Sequence, residues 1–185
     1  MKNNEWYTPV KYIEAAREVL GEIDLNPASC ELANQIVKAK RYYTREQNGL
    51  LQPWSGRVWL NPPYARTERM TAHATSFISM FLEKLFKSYA AGSVTSAIAL
   101  VTTEVNARWF HACWQYPICF PDHRIHFIVP EKRPHGDYKQ MFGSCFVYLG
   151  TSEALFTEVF SRFGYIVKMT KCPPARAGNL QLWSA

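Results

Sequence analysis

The chain comprises 185 residues, 48% hydrophobic and 19% charged, which suits one ordinary domain with a packed core and excludes disorder as its main character. Lys plus Arg number 21 and Asp plus Glu 15, giving a formal charge of +6 and a pI near 9.1, a balance that favours a polyanionic partner. No apolar run approaches the roughly 18 residues of a membrane helix, Met1 to Glu5 lead into no signal-peptide-like stretch, and five cysteines without a CxxC pair argue against a disulfide framework or zinc site and for a reducing cytoplasm.

Short apolar runs alternate with helical patterns, which predicts an α/β layer fold. Thr8-Pro9 reads as a cap and first turn of a helix whose face is Val10, Ile13, Ala16, Val19 and Leu20, with Gly21 ending it. Glu22 to Leu25 reads as a strand, Asn26-Pro27 as the start of a second helix to about Asn34, and Ile36 to Ala39 as a weak strand. Residues 40–56 are loop-like, and Arg57 to Leu60 is a buried strand that stops at Asn61-Pro62-Pro63-Tyr64. A helix is predicted over 68–91, a buried parallel-type strand over Ala97 to Thr102, and a helix over Asn106 to Tyr116. Strands follow at Pro117 to Phe120, Ile125 to Val129 and Ser144 to Leu149; then a helix at Glu153 to Phe163 and a strand at Tyr165 to Met169. The basic tail after Cys172 reads as loop.

Asn61-Pro62-Pro63-Tyr64 is the segment that carries chemistry, because α/β sheets bind ligands at the carboxyl ends of their strands. Two prolines fix φ twice and remove two N–H donors, leaving a stiff turn whose carbonyls can accept. The Asn61 side-chain carbonyl and the Pro62 backbone carbonyl can take both hydrogens of one exocyclic amine, freeing its lone pair and stabilising the positive charge that develops. Tyr64 offers a flat face for a base, and such an arrangement requires the base to leave the duplex.

The tetrapeptide is the signature of amino-methyltransferases that use S-adenosylmethionine, and the wider stretch resembles the phage-type DNA adenine-N6 methyltransferases (Dam). The resemblance rests on Trp6-Tyr7-Thr8-Pro9, Ile23-Asp24-Leu25-Asn26-Pro27-Ala28, Arg41-Tyr42-Tyr43-Thr44, Asn48-Gly49-Leu50, Trp54 and Val58 to Tyr64, and more weakly on Arg124-Ile125 with Phe127. It implies a Rossmann-like class I methyltransferase with a mostly parallel central sheet and helices on both faces. Residues 1–185 would form one domain that reads its target through loops at about 64–75 and 130–142.

The resemblance assigns S-adenosylmethionine to Tyr7, Thr8, Pro9, Asp24, Asn26, Pro27, Ala28 and Asn61, and catalysis to Asn61, Pro62, Pro63 and Tyr64. Backbone N–H groups at a helix start suit the cofactor's carboxylate, and Asp24 could pair with its ammonium. The family usually has Asp-Pro-Ala where this chain has Asn26-Pro27-Ala28, so the ammonium falls to an uncharged Asn26 or shifts to Asp24. No Gly-x-Gly-x-x-Gly is present, and no acid follows the second strand; Glu46 or Asn48 could reach the ribose instead.

The five histidines lack ligand spacing, His123-x-x-His126 being the nearest, so no metal is expected, and Cys113 reads as core. Arg66, Arg69, Lys132, Arg133 and Lys139 are the expected phosphate contacts to duplex DNA carrying a flipped adenine. No membrane partner is expected, and no feature of the sequence sets the oligomeric state. The function so implied is methyl transfer from S-adenosylmethionine to adenine N6 in DNA, with a phage or prophage role such as protection from restriction. The alternatives are an amino-methyltransferase acting on RNA or protein glutamine, and an inert DNA-binding module of the same fold.

Overall fold

Alternate residues of the central strands supply two separate cores, one on each face of a single sheet, in the computed structural model, which describes residues 6–64, 76–128 and 143–169. The elements are α1 (Val10–Leu20), β1 (Leu25–Asn26), α2 (Glu31–Val37), β2 (Arg41–Tyr42), β3 (Gly56–Leu60), α3 (Phe77–Ala90), β4 (Val94–Thr102), a 3-10 helix (Arg108–Gln115), β5 (Ile118–Pro121), β6 (Ser144–Leu149), α4 (Glu153–Phe160) and β7 (Gly164–Val167). Trp59, Ile98, Leu100, Phe146 and Tyr148 meet α1, α4 and the end of α2 on one face. Val58, Leu60, Ala97, Ala99, Val101 and Val147 meet α3 and the 3-10 helix on the other. The period-2 alternation of strand side chains thus makes a three-layer α/β domain with helices on both faces.

The seven strands lie in the order β2-β1-β3-β4-β6-β5-β7. The sheet is mixed: β2, β1, β3 and β4 pair in parallel, whereas β4 with β6, β6 with β5, and β5 with β7 are antiparallel. The expectation of a mostly parallel sheet therefore holds for only half of it. The carboxyl ends of β1, β3 and β4 share one edge, and Ser144 at the start of β6 faces Thr102 there. The end of β5 reaches the same edge, because β5 runs antiparallel to β6. Asn61, Thr8 and the turn after β1 gather along it.

Several element boundaries differ from the sequence reading for identifiable reasons. Pro9 occupies the N-cap of α1, with no side-chain cap, so Thr8 is free for another use. Asn26 does not open a helix: it is the last residue of β1, paired in register with Tyr42, and the helix begins at Glu31, where Cys30 Sγ accepts from Ala33 N–H. Ile36 and Val37 complete α2 because Val37 buries against the α1 core, and Lys38 ends the helix at φ 52°. The outer strand is Arg41–Tyr42 instead. Among the described residues α3 begins at Phe77, capped by Ser76 accepting from Ser79 N–H. Of the strand expected over 125–129, the described residues 125–128 hold one antiparallel bridge, between Tyr7 and Ile128.

Candidate active site

β3 is the strand between β1 and β4, and Val58, Trp59 and Leu60 are almost wholly buried in it. It ends at Asn61 because Pro62 and Pro63 have no N–H to continue a ladder. Asn61 Nδ2 donates to the Trp6 carbonyl at 3.3 Å and to Thr8 Oγ1 at 3.4 Å. The buried hydroxyl of Thr8 thus holds the amide of Asn61 and caps no helix. The Tyr64 hydroxyl donates to Asn61 Oδ1 at 2.8 Å and to the Leu100 carbonyl at 3.4 Å, and its ring packs against the core on the α3 side. Burial pushes that hydroxyl well above the ordinary tyrosine range. Pro62 is buried and Pro63 exposed.

The segment that holds Asn61 is itself fastened at two further points. Tyr7 exchanges two backbone hydrogen bonds with Ile128, at 2.9 and 2.8 Å. Its hydroxyl meets Cys30 Sγ at 3.4 Å, tying the segment to the turn after β1. In that turn Asn26 is 3% exposed. Asn26 Nδ2 donates to Ser29 Oγ at 3.0 Å, Tyr43 N–H donates to the Asn26 carbonyl at 3.1 Å, and Ser29 N–H to the Tyr43 carbonyl at 2.9 Å. Asn26 Oδ1 is the buried side-chain polar atom among the described residues that has no donor. Such an orphan costs free energy of order 1–3 kcal/mol, and a bound N–H group would relieve it.

The loop over residues 44–52 lies on this turn. A Cβ at Gly49 would stand 1.9 Å from the Pro27 carbonyl oxygen, so only glycine permits the approach. Trp54 Nε1 donates to the Gly49 carbonyl at 2.8 Å, and Asn48 Oδ1 accepts from Leu50 N–H at 3.2 Å, with Asn48 at φ 50°. Asn48 is thereby used to build the loop. Glu46 is exposed, and a hydrogen bond from the Thr44 side chain lowers its carboxyl pKa.

Asp24 belongs to a different place. It sits beside Arg57 at the start of β3, four residues from Asn61, which is about 13 Å along the strand. Asp24 Oδ2 accepts from Arg57 N–H at 2.9 Å and from Arg57 Nε at 2.8 Å, and Lys40 Nζ lies 3.2 Å from Oδ1. Glu22 completes the cluster with Arg57 and Lys40. The Arg57 guanidinium holds the Asp24 carboxyl well below the usual carboxylate range. Asp24 is therefore an acid whose carboxylate is already paired with Arg57 and Lys40, level with Arg57 near the start of β3 and two residues before Asn26.

Of the residues singled out in the sequence, Tyr7, Thr8, Pro9, Asn26, Pro27, Ala28, Asn61, Pro62, Pro63 and Tyr64 lie along one sheet edge, and Asp24 sits two residues before Asn26, beside Arg57. Arg66, Arg69, Lys132, Arg133 and Lys139 lie outside the described residues. Contacts that sequence reasoning missed are the Trp6 and Leu100 carbonyls, Ser29, and Glu104, whose Oε1 accepts from Thr102 Oγ1 at 3.3 Å at the end of β4. Only Ser29, three residues after Asn26, carried a local signal for its pairing. Among the described residues no group of three or more His, Cys, Asp or Glu could hold a metal ion, and no helix is long and apolar enough to cross a membrane. The described cysteines are free thiols, with Cys113, Cys119 and Cys145 buried and Cys113 packed in the α3-side core.

The family model for DNA N-6-adenine-methyltransferase (Dam) matches residues 1–148. No curated protein and no solved structure matches the chain.

Proposed function

The chain belongs to the DNA N-6-adenine-methyltransferase (Dam) family, and from that premise we propose that it transfers a methyl group from S-adenosylmethionine to the N6 of an adenine turned out of duplex DNA. The observation that carries this reading is the convergence of three sequence-distant segments, 6–9, 26–30 and 61–64, through the Asn61 contacts to Trp6 and Thr8 and the Tyr7 contact to Cys30. In this reading the parallel half of the sheet, β2-β1-β3-β4, serves as the Rossmann-like methyltransferase framework.

The residues at the edge fit the cofactor. Asn26 Oδ1 is a buried acceptor in need of a donor, and an ammonium or amine N–H is the chemistry that supplies one. Tyr7, Thr8, Pro9, Asn26, Pro27, Ala28 and Asn61 would hold S-adenosylmethionine, which when bound supplies an electrophilic methyl on a positively charged sulfur. The hydrogen bonds from Asn61 Nδ2 to Trp6 and Thr8 orient its amide so that Oδ1 is the acceptor presented to the target. Asn61 Oδ1 and the Pro62 carbonyl receive the two hydrogens of the adenine amine. As the nitrogen gains its new carbon, those fixed dipoles stabilise its positive charge, and one proton then leaves to water. Pro63 shapes the turn and Tyr64 stacks the base.

Arg66, Arg69, Lys132, Arg133 and Lys139 serve as phosphate contacts in this reading, supported by their clustering in two basic segments and the charge of +6. The site of action is the cytoplasm, where the DNA is, and the phage-type resemblance supports a role in shielding DNA from restriction. The decisive experiment offers labelled S-adenosylmethionine to duplex DNA, RNA and protein in parallel and digests the DNA to nucleosides. Label in N6-methyladenine supports the proposal. Label confined to RNA or protein glutamine, or no label with any substrate, overturns it.

A further inference from the structure

The connection after β5 runs along the same sheet edge as Asn61, and it is clamped at both ends. At one end Asp122 N–H donates to the Phe163 carbonyl at 3.0 Å, and His123 Nε2 lies 2.8 Å from the buried Tyr12 hydroxyl of α1. At the other end Ile128 is bridged to Tyr7, next to the Trp6 and Thr8 groups that hold Asn61. Between the clamps the side chains alternate. Ile125 is 3% exposed and Phe127 packs inward, its ring 6.2 Å from that of Trp6. Arg124, His126 and Ile128 face outward and are exposed. The acid of the segment, Asp122, is turned onto His123 Nδ1 at 2.5 Å.

We infer that residues 122–128 form a DNA-backbone ridge beside the catalytic turn, with Arg124 and His126 contacting phosphates on the strand that flanks the displaced adenine. This deepens the proposed function and rests on it. Two observations favour a nucleic-acid backbone over a small ligand. The row is exposed at Arg124, His126 and Ile128, and its donors repeat along a segment whose side chains alternate in and out. Arg124 and His126 are two residues apart on the exposed side of this alternating segment, so both side chains face the same way and can reach phosphates of one backbone. The clamps matter because a ridge tied through Tyr7 to the Asn61 support sets the DNA backbone and the amine acceptor in one frame.

The test is equilibrium binding of the full chain to a fluorescent duplex across a series of salt concentrations. Arg124→Ala/His126→Ala is expected to bind about tenfold more weakly and to reduce the salt slope by about one, because one permanent charge and one donor are lost. His126→Lys is expected to tighten binding and steepen the slope by about one, and it covers the case in which the double variant does not fold, which melting curves report. S-adenosylmethionine binding by calorimetry should be unchanged in both. An unchanged slope in either folded variant overturns the ridge. If wild-type protein methylates adenine while the variants match its DNA binding, only the ridge falls; if wild-type protein neither binds nor methylates DNA, the functional reading falls with it.

Discussion

The hydroxyl of Tyr64 donates to Oδ1 of Asn61 at 2.8 Å, so the oxygen assigned to the target amine already carries a hydrogen bond from its own motif. A carbonyl oxygen has two lone pairs, which leaves one for a substrate hydrogen. The Tyr64 ring is packed against the α3-side core in this arrangement, and stacking on a base requires it to turn out and break its contacts to Asn61 and Leu100.

That relationship separates the ring from the hydroxyl. Tyr64→Phe keeps the aromatic face and removes the bond to Asn61, so stability should fall by about 1 kcal/mol while methylation changes less than tenfold. Tyr64→Ala removes the stacking surface and should weaken engagement of the target base by about 1–3 kcal/mol. Asn61→Ala should lower turnover by at least about 100-fold and, because Asn61 also helps hold the cofactor, weaken S-adenosylmethionine binding by a smaller factor. Single-turnover methylation with the three variants checks the order, and a Tyr64→Phe protein as inactive as Asn61→Ala would give the hydroxyl a chemical role.

Asn26 makes a prediction about the unliganded protein. Asn26→Asp places a carboxylate where Oδ1 has no donor, so the free protein should melt at lower temperature, by an amount corresponding to about 1–3 kcal/mol. Saturating S-adenosylmethionine should raise its melting point more than that of the wild type. Asn26→Ala should weaken cofactor binding about tenfold, the loss of one hydrogen bond to a charged group. Thermal shift and calorimetry read both. Equal cofactor affinity in all three proteins would detach Asn26 from the cofactor.

Asp24 governs the acid limb of stability. Its folded-state pKa is depressed by Arg57, below an unfolded value near 3.9. The stabilisation is therefore complete above about pH 4 and is lost as pH falls below that toward the folded-state pKa. Asp24→Asn should lower stability at pH 7 and make the decline between about pH 4 and 2.5 shallower, as urea unfolding at each pH would measure. An acid limb as steep as that of the wild type would show that other carboxylates dominate it.

Gly49→Ala should cost about 2 kcal/mol or more, because its methyl would collide with the Pro27 backbone and neither chain can yield as a side chain could. The displaced turn carries Asn26, so cofactor affinity should fall together with the melting temperature. Retention of both would mean that the loop over 44–52 is free to move off Pro27.

The two-faced sheet, the helices at 10–20 and 77–90 and the stop at Asn61 were legible because each rests on local terms. Strand residues alternate, helical faces recur every three or four positions, and prolines lack a donor wherever they sit. The early elements between Glu22 and Ala39 were less so, since Asn-Pro suits a cap and a strand end alike, and only the pairing of Asn26 with Tyr42 decides between them.

By itself the sequence determined the chemistry of the turn, a rigid pair of carbonyl acceptors followed by an aromatic, since that follows from the covalent nature of Asn61, Pro62, Pro63 and Tyr64. Tertiary structure alone decided which acids and amides were free to act. Asp24 and Asn26 are two residues apart, yet Arg57 and Lys40 satisfy the first while the second buries an oxygen that nothing in the described fold reaches. The physical reason is that the donors satisfying Asp24 come from Lys40 and Arg57, 16 and 33 positions away in the chain, brought alongside only when β1, β2 and β3 pair.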